Sequence, residues 1–120
     1  MGESPALVPG LVVHGSGPSP EAWLPAAMRT TLNAAADLGG GRAVELVVQG
    51  PAVALLATPG GPAAQLADLL AAGIGILACG NSLRSAGMTG EDLAAGVAVV
   101  PAAVGHLARR QWEGWAYIRI

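Results

Sequence analysis

The chain has 120 residues, room for a single domain over 1–120, and 52% of its side chains are apolar, ample for one core. It contains no lysine, which excludes a Walker A phosphate loop and any Schiff-base chemistry. Six arginines against eight acidic residues leave a charge of −2 with no basic cluster, which points away from nucleic acid.

Taken in chain order, Leu11-Val12-Val13-His14 is an apolar run that ends at Gly15-Ser16-Gly17-Pro18, a strand followed by a turn. Ser19 and Pro20 form an N-cap and first-turn pair, and Glu21 suits the positive end of a helix. From Trp23 to Leu38, Leu24, Met28, Leu32 and Ala35 recur at helical spacing until Gly39-Gly40-Gly41 stops the run. Pro25 either marks a later start or kinks the first turn. Ala43–Val48 is a second strand, Pro51–Ala57 a short helix, Thr58–Pro62 a turn and Ala63–Ala72 a further helix. A third strand runs from Gly73 into Cys79, and a short helix follows from Asn81 to Ala86. Thr89–Leu93 is a capped turn, Val97–Val100 a fourth strand, Pro101–Trp112 a helix and Ala116–Ile120 a fifth strand. Strand and helix alternate throughout, which calls for an α/β fold with a mostly parallel sheet covered on both faces.

Cys79 is the one cysteine, so no internal disulfide forms and nothing argues for a stapled, secreted fold. Met1-Gly2-Glu3-Ser4-Pro5 carries no basic leader region, and the longest clean apolar stretch, Leu69–Cys79, falls short of the roughly 20 residues a bilayer requires. A cytoplasmic protein without membrane contact is expected. Cys79 stands where a strand ends and a helix begins, the edge at which open α/β sheets gather ligands. A thiol there, beside the amides of a helix start, has a physical reason to ionise, whereas buried cysteine is also an ordinary small apolar residue. His14 ends the first strand on the same sheet edge. It serves either as a proton acceptor for the thiol and part of a pocket, or as a turn histidine bonded to a backbone carbonyl.

Other motifs are weaker. His14-Gly15-Ser16-Gly17 lacks the third glycine of a dinucleotide fingerprint, and Gln49 stands where an acidic ribose ligand belongs. Gly80-Asn81-Ser82-Leu83-Arg84 misses the nucleophile elbow because Arg84 replaces its last glycine. No spacing of His, Cys or carboxylates suggests a closed metal site, and no cofactor is implied. His106 reads as a core-edge or surface residue, Arg109-Arg110 as a solvated helix face, and Trp112, Trp115 and Tyr117 as core or subunit-interface anchors.

The order of these pieces resembles the DsrE/DsrF-like family. The resemblance rests on His14 at a strand end, Val47–Leu56, Ala78-Cys79-Gly80-Asn81-Ser82-Leu83, Glu91-Asp92-Leu93, Gly96–Pro101 and Gln111–Ile118. It spans Leu11 to Ile120 and implies a YchN-like fold, a three-layer α/β/α sandwich around a five-stranded, mostly parallel sheet. It also implies a homo-oligomer, trimeric or hexameric, and for sulfur-relay members a cysteine that carries a persulfide between protein donors and acceptors. Cys79 occupies the corresponding segment.

The expected function is therefore a sulfurtransferase-like carrier in which Cys79 accepts sulfane sulfur with help from His14. The amides of Gly80, Asn81 and Ser82 would solvate the anion, while Asn81 and Arg84 orient or charge-balance it. The thiol itself is expected to be accessible. The alternative is a non-catalytic oligomeric binding protein that holds a small ligand or metal near Cys79 and His14. A third reading leaves Cys79 inert in an assembly module.

Overall fold

The computed structural model describes residues 8–57 and 62–120, so the leader reading at Met1–Pro5 and the turn at Thr58–Gly61 lie outside the described residues. Five strands form one sheet: β1 (Leu11–Gly15), β2 (Val44–Val48), β3 (Gly75–Cys79), β4 (Ala98–Val100) and β5 (Ala116–Arg119). Between them run α1 (Pro20–Asp37), α2 (Ala63–Ala71), α3 (Gly80–Ser85) and α4 (Ala103–Trp112), with 3₁₀ turns at Gly50–Leu56 and Gly90–Asp92. The strand order is β4-β3-β2-β1-β5 and every pairing is parallel. All carboxyl ends therefore share one edge of the sheet.

Alternation along each strand divides the core in two. Leu11, Val13, Val44, Leu46, Val48, Ile76 and Ala78 face α1 and α2, where Leu24, Met28, Leu66 and Leu69 close over them. Val12, Val47 and Cys79 face the other way, toward Ala103 and Leu107 of α4. The result is three layers, with α4 the cover of the second face.

Local signals explain most boundaries. Gly39 and Gly40 take φ of 80° and 76°, a left-handed backbone that ends α1 where the glycine run predicts. Helix α1 starts at Pro20, as the sequence suggests, yet Ser19 sits at φ 57° and its hydroxyl makes no capping bond. A cap is worth about 1 kcal/mol, whereas a fully buried Leu contributes about 1.5–3 kcal/mol. The buried face of Leu24, Ala27 and Met28 thus holds α1 without the cap. Pro25 lies inside the helix rather than at its start. Pro101 precedes α4 instead of opening it, because Ala102 is the N-cap. Thr89 and Asp92 form a reciprocal capping box around the second 3₁₀ turn.

The two edge strands depart from a uniformly buried sheet, and in β4 Ala98 and Val99 are exposed. All four residues of β5 are exposed, with Ile118 at 51%. Trp115, in contrast, packs inward against Gly10, where an added Cβ would lie 2.3 Å from the Ala43 carbonyl and 2.7 Å from the Trp115 ring. Only glycine permits that approach. No described helix is long and apolar enough to cross a membrane.

Candidate functional site

The carboxyl edge of the sheet opens into a cavity of about 500 Å³. It lies over the end of β3, between the segments that follow β2 and β4, so Gln49, Pro51, Cys79, Asn81, Ser82 and Val104 all reach it. Among the described residues no charged side chain lines it.

Cys79 forms part of its wall and is 2% exposed. The expectation of an accessible thiol is corrected: Cys79 is buried, with the first turn of α4 against its sulfur and the cavity on its other side. Burial pushes the thiol pKa up, but the Ser82 hydroxyl and the amides of Ala103, Ser82 and Asn81 outweigh burial, leaving the pKa below its ordinary value. The Ala103 N–H donates to Cys79 Sγ at 3.4 Å. Ser82 Oγ accepts the Gly50 N–H at 2.8 Å, which occupies a lone pair and leaves its O–H to donate toward the sulfur. Gly80 contributes space rather than a donor. A Cβ there would sit 3.0 Å from both the Val100 and Pro101 carbonyls, so glycine lets α3 start directly beneath β4.

His14 is not brought to the thiol. Its strand lies two places from β3, about 10 Å at the usual strand spacing. Both ring nitrogens are engaged elsewhere: Nδ1 with the Tyr117 hydroxyl at 2.7 Å and Nε2 with Gln49 Oε1 at 2.8 Å. Burial lowers the imidazole pKa; the bond to Gln49 raises it, the Arg119 charge lowers it, and the balance falls below the ordinary value. His14 therefore meets the cavity through Gln49. Register predicts this grouping once the strand order is known, since His14 pairs with Arg119 and Val12 with Tyr117 across β1 and β5.

Arg84 also stands apart. It is exposed, and its Nη2 donates to Asn81 Oδ1, one helical turn back. Asn81 thus links the cavity to a surface guanidinium, and Arg84 makes no bond to Cys79. The sequence missed Gln49, although it ends the second strand on the same edge as His14 and Cys79. It also missed the Ala103 amide, because an alanine carries no side-chain signal.

A second polar cluster lies on the α4 face. Glu45 accepts Nε and Nη2 of Arg110 at 3.0 and 2.7 Å and bonds His106 Nε2 at 2.7 Å. Arg110 also holds Glu113 and stacks 4.2 Å above the Trp115 ring. The reading of Arg109-Arg110 as a solvated face is corrected for Arg110. Burial raises the Glu45 pKa, but its bonds to Arg110 and His106 prevail and hold it below the usual carboxylate range. Among the described residues no group of three or more His, Cys, Asp or Glu is placed to hold a metal ion.

Comparison with known proteins matches this fold. The protein of unknown function MTH1491 from Methanobacterium thermoautotrophicum is 35% identical, with a TM-score of 0.85 over 94% of this chain and 100% of that one. YchN from E. coli shares the fold at 16% identity, with a TM-score of 0.75 over 94% of this chain and 100% of its own. The protein of unknown function BT1422 from Bacteroides thetaiotaomicron does so at 18% identity, with a TM-score of 0.72 over 98% of this chain and 100% of its own. No curated protein matches. The family model for DsrE/DsrF-like proteins matches residues 11–120, all five strands and the whole cavity edge included, and the chain belongs to the DsrE/DsrF-like family.

Proposed function

We propose that the protein is a persulfide carrier of the sulfur-relay kind, with Cys79 as the acceptor. The observation that carries this reading is a thiol made more acidic by several donors at the wall of a cavity large enough for a small donor molecule. The family is associated with sulfur relay in general, which supports it. In the step itself the Cys79 thiolate attacks the outer sulfur of a persulfide, R–S–SH. A new S–S bond forms, the donor's S–S bond breaks, and R–S⁻ leaves with the electron pair, so no oxidant is consumed. An acceptor thiolate removes the outer sulfur by the same displacement. The chemistry is sulfurtransferase-like, and a protein donor or acceptor would present its cysteine at the cavity mouth beside Val104.

The carrier works as a homo-oligomer, a trimer or hexamer. Support comes from the apolar surface on α4 and β5, where Trp112 is 82% exposed and Ile118 51%. Incubation with a persulfide donor should add one sulfur mass to the intact chain, reversibly with reductant. Cys79→Ser should abolish the gain while keeping the fold. His14→Ala should slow loading about two- to tenfold, since it acts through one hydrogen bond to Gln49. A wild-type chain that alkylates at Cys79 yet gains no sulfur would instead support a non-catalytic ligand-binding protein. The mostly apolar cavity lining favours that second reading.

A further inference from the structure

The cavity has a polar group whose orientation is fixed from behind. A carbonyl oxygen only accepts, so the contact between Gln49 Oε1 and His14 Nε2 places the imidazole proton on Nε2. Nδ1 then carries a lone pair and takes the Tyr117 O–H. Burial keeps the ring in its neutral form, as this chain of bonds requires. With Oε1 held by His14, the Gln49 side-chain NH₂ is left without a partner among the described residues, and Gln49 lines the cavity. Among the described residues no cationic side chain lines the cavity to receive an anionic ligand.

We propose that Gln49 sets the specificity of the cavity by donating its side-chain N–H to the carbonyl oxygen of a small uncharged ligand, with His14 and Tyr117 as positioning residues. This deepens the carrier reading and rests on it for the cavity being where substrate meets Cys79. It names the substrate class as neutral, carbonyl-bearing molecules rather than carboxylates.

Three alkylating probes of Cys79 test it without any sulfur transfer. Iodoacetamide is neutral and has a carbonyl, iodoacetate is charged, and iodomethane has no acceptor. In each case the thiolate displaces iodide, forming S–C and breaking C–I. Relative to the urea-unfolded chain, the folded protein should favour iodoacetamide over iodoacetate by about tenfold or more, because repulsion between the anion and the reacting thiolate is less screened in the cavity than in water. Tyr117→Phe removes the donor to Nδ1, so the imidazole proton can move there. Gln49 then turns its NH₂ to Nε2 and its oxygen to the cavity. This variant, and Gln49→Leu, should slow iodoacetamide about three- to tenfold at an unchanged thiol pKa, the worth of one hydrogen bond, while leaving iodomethane unaffected. A folded-state preference equal to that of the unfolded chain overturns the proposal. So does equal slowing of iodoacetamide and iodomethane in Gln49→Leu. If the selectivity holds but no persulfide forms, the carrier reading falls and the specificity of Gln49 stands.

Discussion

At Cys79 two opposing effects meet in one atom. Taking a thiolate out of water is costly, while each amide or hydroxyl that points at the sulfur stabilises its charge. Four donors from Ser82, Ala103 and Asn81 carry the balance toward ionisation. The pH profile of iodoacetamide alkylation should therefore have its midpoint below that of the urea-unfolded chain. Ser82→Ala should move that midpoint upward, because only the charged form loses a donor. A profile that Ser82→Ala leaves in place would remove the hydroxyl from the site. The position of Cys79 was legible from an apolar run that ends at a glycine and a polar helix start. Its environment was not. Arg84 pairs with Asn81 on its own helix, a local i,i+3 preference that outweighs the longer reach to sulfur.

The joint between β2 and α4 shows what elements add to residues. Glu45 interrupts the apolar run Val44–Val48, and a carboxylate in a buried strand demands a partner. That demand could be seen in the sequence. The partners could not, because His106 and Arg110 lie 61 and 65 residues further on, and only the sheet order brings α4 over β2. Every strand and helix was otherwise foreseen, since punctuation by Gly and Pro and continuous apolar runs are local signals. The β5 strand was expected to be buried like the others and is an exposed edge, which depends on where it docks. Glu45→Gln should cost about 1–3 kcal/mol at pH 7, less than a fully buried pair because Arg110 is partly solvated. The carboxyl pKa is lower in the folded chain than in the unfolded one. The unfolded state therefore binds more protons between the two values, and the stabilisation is complete above the ordinary carboxylate range. It fades as pH falls through the folded value. Urea midpoints measured from pH 7 down to pH 3 should converge for wild type and Glu45→Gln.

At the scale of the molecule, α4 covers the second face of the sheet near Val12, Val47 and Cys79, while β5 leaves Tyr117 and Ile118 on the surface. Light scattering at micromolar concentration should give a trimer or hexamer. Ile118→Asp should shift it toward a single chain, because a charge in a closely packed interface loses its water without gaining a partner. A single-chain mass for the wild type would overturn the oligomer. The pairing of β5 with β1 has a further consequence, which concerns time rather than space. Of the described strands, the earliest in the chain is the fourth in spatial order, and its outer neighbour is the latest, about a hundred residues on. Contacts so distant in sequence form late, since the loop between them must close first. During synthesis, β1 waits with one side unpaired, and His14 lacks the Tyr117 hydroxyl that bonds its Nδ1. The cavity edge is thus finished last, and a chain still leaving the ribosome holds Cys79 before it holds a tuned Gln49.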